Sequence, residues 1–207
     1  METAFATPIE TGPFAFTEAN AARAKDIIAR YPAGRQQSAV MPLLALAQNQ
    51  AGGWLPRSAM DYVADMLGMA PIRVYEVATF YSMYNTAPAA KHVIEICTTT
   101  PCWLRGSDKI VAVAEKRLGI KLGETTPDKQ FALHEVECLG ACVNAPMCAV
   151  VSHSGETLGG PFYEDLTAES MTKIIDDLAG GKTPMPGPQS GRKSSEPAKN
   201  IPAQEKK

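Results

Sequence analysis

Long hydrophobic runs are missing from this 207-residue chain. Its longest stretch without a polar side chain is the nine residues from Ala39 to Ala47, whereas a bilayer crossing takes roughly 20. A soluble or peripheral protein with no membrane span is the expectation. Cysteine is scarce too: there are five, all between Cys97 and Cys148, too few and too clustered for an extracellular disulfide scaffold. The opening METAFATPIE has neither the basic start nor the apolar core of a secretory signal, so residence in a reducing compartment is expected. Neither sign of charge dominates, with 20 Lys and Arg against 22 Asp and Glu and a formal charge of -2. That balance gives no global positive field to draw nucleic acid or anionic lipid. Gly-x-Gly-x-x-Gly and the Gly-rich Lys-Ser/Thr phosphate loop are both absent, so no nucleotide-binding fold is indicated. The lack of Cys-x-x-Cys counts against a thiol oxidoreductase.

What is present is 45% apolar residues, enough to bury a sizeable core in one or two domains. The first part reads as helical. Apolar residues at helical spacing predict helices over 19–30, 38–49, 56–67 and 71–84, punctuated by Pro32, Gly34, Gly52-Gly53 and Gly68. Beyond Pro88 the pattern changes to short apolar runs, predicting strands at 92–97, 131–136 and 147–151 and a short segment at Phe162-Tyr163. A helix is expected from Pro101 or Cys102 to Leu118, capped by Thr100, and another from a Thr167 cap to Leu178. The domain organisation follows as an extension at 1–18, a helical domain at 19–88, an α/β domain at 89–181 and a tail at 182–207. The tail holds five prolines and six basic against two acidic side chains. Such a segment forms no core of its own, and it is expected to be extended, lying on a more acidic partner or simply solvated.

The chemistry is concentrated in two loops. Cys97-Thr-Thr-Thr-Pro-Cys102 begins at the end of a predicted strand and finishes at a helix start, and Cys138-Leu-Gly-Ala-Cys142 also follows a strand. Strands in one sheet would bring both loops to one rim, and four thiolates together. Structural zinc commonly uses two Cys-x-x-Cys knuckles, and neither pair has that form. A four-residue gap occurs in plant-type [2Fe-2S] loops, and two pairs can each hold one iron. A binuclear iron-sulfur cluster is the leading reading, with zinc and unligated structural thiols as alternatives. No charged residue lies within either loop, and Gly140 allows backbone N–H groups to approach sulfur, which offsets the negative charge of a reduced cluster. Cys148, after Pro146-Met147 at a strand start, reads as a small buried hydrophobe. His92, His134 and His153 lack a Cys-x-His arrangement and read as strand-flanking or surface residues. Trp103 has two roles open to it, shielding the cluster or filling the core.

At these residues the chain resembles a known family. ICTTTPCWLRGS at 96–107, ECLGACVNAPM at 137–147 and YEDLT at 163–167 are similar to the 24-kDa [2Fe-2S] subunits of respiratory complex I. GWLP at 53–56, EVATFYSMY at 76–84 and PGPQSGR at 186–192 resemble other parts of the same family. The resemblance implies an α/β fold class: an N-terminal helical domain, then a thioredoxin-like domain with a four-stranded mixed sheet and flanking helices. It implies one [2Fe-2S] cluster with Cys97, Cys102, Cys138 and Cys142 as ligands. It also implies partners: a 51-kDa-type subunit that binds FMN and NADH, and a neighbouring iron-sulfur subunit of the peripheral arm. That arm lies on the cytoplasmic side of the bacterial inner membrane, or the matrix side in mitochondria. The implied role is one-electron carriage in NADH:quinone oxidoreductase, without a complete active site in this chain. Related diaphorase subunits of soluble NAD-linked formate dehydrogenases and hydrogenases share the motifs. A structural interaction module with a non-conducting metal site is the reading from another class. Two departures from the family pattern stand out: Cys148 replaces a residue that is more often aliphatic, and Ser152 to Pro161 is longer than the usual turn.

Overall fold

The computed structural model describes residues 12–152 and 159–197. Most of the N-terminal extension, His153, much of the lengthened Ser152–Pro161 stretch and the last ten residues lie outside the described residues. The chain forms two compact units, one helical up to Ala89 and one α/β from Ala90 onward.

In the first unit the Thr17 side chain accepts the Asn20 N–H and opens helix α1 (Glu18–Ala29). A 3-10 turn (Gln36–Ala39) leads into α2 (Val40–Gln50), with Pro42 in its first turn, where a missing N–H breaks no helical bond. Helix α3 (Arg57–Leu67) ends on Gly68 at φ 60, a left-handed cap that glycine adopts without strain. Its neighbour α4 (Pro71–Phe80) stops four residues short of the expected end at Tyr84. The Gln48 side chain and the Met41 carbonyl of α2 capture the next residues. Gln48 donates to the Met83 carbonyl at 3.0 Å and accepts the Asn85 N–H at 2.7 Å, while the Tyr84 hydroxyl donates to the Met41 carbonyl at 2.9 Å. Leu43, Leu44, Ala47, Val63, Ala64 and Val74 form the centre of this unit's core.

The second unit holds strand β1 (His92–Cys97), helices α5 (Thr100–Leu104) and α6 (Ser107–Leu118), β2 (Phe131–Val136), β3 (Cys148–Ser152), β4 (Phe162–Glu164), α7 (Ala168–Ala179) and β5 (Gly187–Pro188). These strands form one sheet in the order β2-β1-β3-β4-β5. The β1/β2 and β4/β5 pairs are parallel, and β3 runs antiparallel to both of its neighbours. Two expectations are corrected. The single helix over 101–118 is two helices, because Gly106 sits at φ 90 and turns the chain between α5 and α6. The expected four strands are joined by a fifth from the tail, whose described residues fold back onto this unit. The Tyr163 hydroxyl donates to the Pro184 carbonyl at 3.3 Å, and the Gln189 N–H to the Glu164 carbonyl at 2.8 Å.

Strand periodicity sorts the sheet into two faces. Ile94 and Ile96 of β1, Leu133 of β2, and Cys148 and Val150 of β3 pack against Ile110 and Ala114 of α6 and Met171, Ile174 and Leu178 of α7. Val93, Ala132 and Val151 cluster on the opposite face. Thr167 caps α7 as expected, accepting the Ser170 N–H at 3.2 Å while Ser170 Oγ accepts the Thr167 N–H at 2.8 Å.

Candidate metal centre

Cys97 is the last residue of β1, and the chain leaves the sheet there into the first cysteine loop. Thr99, rather than the expected Thr100, is the N-cap of α5, with Pro101 in the first turn. The Thr99 side chain makes no capping hydrogen bond. Its Oγ1 lies 3.1 Å from Cys97 Sγ, and the same hydroxyl helps to lower the proton affinity of Cys138. This group therefore acts on a sulfur of each cysteine loop. Thr98 fastens the first loop to the neighbouring strand by donating to Glu135 Oε1 on β2 at 2.5 Å. α5 then presents Cys102 inward, where both Cys97 and Cys102 are 1% exposed, beside Ala145, Met147, Leu139, Ala141 and Phe162.

The second loop leaves β2 at Val136, passes through Cys138 and Gly140, and closes in a 3-10 turn (Cys142–Asn144). Gly140 has φ 85, which bends the loop so that its N–H points back at Cys138 Sγ, 3.4 Å away. Cys138 and Cys142 are exposed, with their sulfurs 3.2 Å apart, inside van der Waals contact but far beyond a disulfide bond of about 2.05 Å. The Arg105 Nε donates to the Ala145 carbonyl at 3.4 Å and joins the end of α5 to this loop. The Ala145–Pro146 peptide is cis.

Proton affinities follow the same geometry. Burial, helped by hydrogen bonding with Cys97, pushes the Cys102 thiol up to about 12, while the Met147 N–H works in the other direction by donating to its sulfur. On the outer pair, the Gly140 N–H holds Cys138 below the usual thiol range, with further help from Cys142. Its neighbour Cys142 is raised, first because it donates its proton to Cys138. Each pair thus has one backbone N–H aimed at a sulfur, the arrangement that stabilises thiolate charge.

The structure brings Cys97, Cys102, Cys138 and Cys142 to one rim of the sheet and leaves Cys148 out. The antiparallel register pairs Cys148 with Ile96, so its side chain falls on the helix-covered face and is completely buried. His134 is exposed on β2, whereas His92 is buried at the start of β1 with its Nδ1 2.7 Å from Ser152 Oγ. That burial rules out the surface half of the expectation for His92, which stands at the first position of β1. Trp103 does not fill the core: Trp103, Leu104 and Val143 are 62%, 71% and 67% exposed, an apolar rim beside both cysteine loops. Sequence reasoning did not single out Thr99, although a run of three threonines between two cysteines was its signal. Among the described residues no helix is long and apolar enough to cross a membrane.

An α/β unit whose parallel β1–α–β2 segment and antiparallel β3 and β4 carry two cysteine pairs at one sheet rim defines a thioredoxin-like domain with a candidate metal site. The chain belongs to the thioredoxin-like [2Fe-2S] ferredoxin family, whose sequence profile matches residues 24–179. It is 54% identical over 165 residues to an NADH-quinone oxidoreductase subunit of Rickettsia conorii, covering 80% of this chain and 94% of that protein. It is 48% identical to the mitochondrial NADH dehydrogenase [ubiquinone] flavoprotein 2 of Dictyostelium discoideum, over 90% of this chain and 72% of that protein. Its fold is shared with a chain of an NAD+-reducing [NiFe]-hydrogenase, at TM-score 0.56 and 19% identity. That alignment covers 67% of this chain and 22% of the longer hydrogenase chain. The likeness to the complex I subunits read from the sequence motifs is borne out.

The family's cofactor is one [2Fe-2S] cluster, and the residues present suit it. The five cysteines are free thiols, and four of them lie in two pairs with N–H donors to sulfur. Among the described residues no three His, Cys, Asp or Glu side chains are arranged to hold one metal ion. Two separate thiol pairs suit a binuclear centre better than the closed tetrahedral shell of structural zinc.

Proposed function

We propose that this chain is a one-electron carrier of an NADH:quinone oxidoreductase of the respiratory complex I type, with Cys97, Cys102, Cys138 and Cys142 as the ligands of its cluster. The observation that carries the reading is the convergence of two thiol pairs, one buried and one exposed, at a rim bordered by apolar side chains. When bound, a [2Fe-2S] cluster supplies reversible one-electron transfer. The protein's part is to hold the thiolates, disperse their charge and control water. Cys97 and Cys102 hold the inner side, where Ala145, Met147 and Phe162 exclude solvent. Cys138 and Cys142 hold the outer side, the direction from which a redox partner is reached. The Gly140 and Met147 N–H groups and the Thr99 hydroxyl spread negative charge from sulfur onto dipoles that are already in place.

The partner that fits is the subunit binding FMN and NADH, with a neighbouring iron-sulfur subunit completing a hetero-oligomeric peripheral arm. It would sit on the cytoplasmic face of a bacterial inner membrane or the matrix face in mitochondria. The exposed Trp103, Leu104 and Val143 supply an apolar contact around the exposed cysteine pair. A diaphorase subunit of a soluble NAD-linked dehydrogenase is the second reading, favoured by the shared fold with the hydrogenase chain. The far higher identity to complex I subunits supports the first.

Iron, acid-labile sulfide and zinc measured on anaerobically purified protein test the cofactor. The expected result is about two irons and two sulfides per chain and no stoichiometric zinc. Serine at each of the four proposed ligands should abolish or strongly deplete that content. One zinc without sulfide in protein from its native host would overturn the redox reading. Affinity purification from the same host separates complex I from the soluble alternative by whether membrane subunits accompany the flavoprotein.

A further inference from the structure

The basic tail does more than extend the sheet. After β5 the chain turns at Ser190 and carries Arg192 back beside the second cysteine loop, where its side chain is 10% exposed against 4% for Asp165. Arg192 Nε donates to Asp165 Oδ2 at 2.6 Å, and Nη2 donates to Asp165 Oδ1. The same Nη2 also donates to the carbonyl of Val143 at 3.2 Å, the residue directly after Cys142. Its remaining nitrogen, Nη1, donates to the Glu196 carbonyl at 3.1 Å, so the whole fork is engaged.

The carboxylate is itself held in place. Asp165 accepts from Ser190 Oγ at 2.7 Å, and its backbone N–H donates to the Asn144 carbonyl at 2.7 Å. Asn144 completes the connection, donating through Nδ2 to Glu164 and to the Ser194 carbonyl. The backbone after Cys142 is thus gripped at Val143 and Asn144 by the tail and by the turn between β4 and α7. Within the loop itself that stretch has two backbone bonds, Asn144 N–H to Ala141 at 3.0 Å and Ala145 N–H to Cys142 at 3.3 Å.

We propose that Arg192 is a positioning residue for the second cysteine loop, its guanidinium fork locking Val143 against Asp165 so that Cys142 is presented in one geometry. The assignment rests on the reading of Cys138 and Cys142 as cluster ligands. The reason for arginine is geometric. One planar group serves both carboxylate oxygens and two carbonyls at once, whereas a lysine ammonium offers a point charge that can keep the ion pair but not the fork. Being nearly buried, the pair is not dissipated by solvent as surface pairs are.

The test compares the full-length wild type, Arg192→Ala and Arg192→Lys, each assayed for iron and sulfide, for cluster loss under a ferrous chelator and for amide hydrogen exchange. In Arg192→Ala, exchange at Asn144 and Ala145 should rise at least tenfold, while amides of β1 and β2 stay within twofold. Cluster loss should accelerate at least fivefold, with an altered visible circular dichroism spectrum. Arg192→Lys should behave as Arg192→Ala. Loop exchange unchanged in Arg192→Ala, acceleration spread evenly across the sheet, or wild-type behaviour of Arg192→Lys would each overturn the proposal. Failure of the cluster reading shows separately, as absence of iron and sulfide from the wild type, and leaves the exchange comparison intact.

Discussion

Replacing Cys148 with alanine separates a core thiol from a cluster ligand. The side chain is fully buried opposite Ile96, and burial pushes its thiol from an ordinary 9.0 up to about 12. The fold therefore favours the protonated form. Stability from this group is complete below about pH 9, where the unfolded chain also keeps its proton, and it is lost as pH rises toward about 12. One proton corresponds to about 1.4 kcal/mol per pH unit, so going from about pH 8 to about pH 10.5 should remove about 2 kcal/mol. Cys148→Ala abolishes that component and costs about 1 kcal/mol at neutral pH through lost packing. Urea unfolding of both chains at the two pH values isolates the difference. Tyr84, whose phenol burial also pushes up to about 12, titrates in both chains and cancels, whereas Tyr163, raised by its own burial and in part by Cys148, belongs to the difference. Iron and sulfide content should match the wild type. An identical pH dependence in the two chains would refute the burial argument, and a halved iron content would make Cys148 a participant at the metal centre.

A methyl group added at Gly160 would lie 1.8 Å from the Val150 carbonyl oxygen and 2.9 Å from Val151 Cα; Gly160→Ala should cost at least about 3 kcal/mol in urea unfolding. At Gly140 the same methyl meets nothing within 4 Å, but φ is 85, so Gly140→Ala should cost only about 1 kcal/mol of backbone strain; equal effects at the two glycines would contradict the packing described. Gln48→Leu strips partners from the Met83 carbonyl and the Asn85 N–H and should destabilise the helical unit by about 2–4 kcal/mol, read as loss of amide protection in α2 and α4. Thr167→Ala removes the cap of α7 and should cost about 1 kcal/mol with unchanged iron content; a drop in iron would tie α7 to the metal centre.

Much of the architecture was legible one residue at a time. Thr167 started a helix and Gly68 ended one where local chemistry demanded it, since a hydroxyl at an N-terminus and a left-handed glycine at a C-terminus need no distant partner. Helical periodicity located the helices of the first unit, and short apolar runs located four strands of the second. The two cysteine pairs were visible because each is a short local motif following a strand. Local signals failed where a distant group decided the outcome. The end of α4 at Phe80 depends on Gln48 and Met41, far away in sequence. β5 exists because β4 offers an open edge to a tail whose composition alone reads as coil.

The cysteines divide in the same way. Sequence by itself determined that four thiols stand in two loops after strands, without charged residues within either loop. Only the tertiary structure separated the fifth from them. Cys97 and Cys148 sit on adjacent strands with their positions offset by one, since Cys148 pairs with Ile96. A shift of one residue in a strand reverses the face to which a side chain points, so one sulfur goes to the rim and the other into the core. That register is a property of the assembled sheet. The grip of Arg192 on Val143 is of the same kind: 49 residues separate the two in sequence, and their contact exists because the tail adds a strand and turns back over the loop.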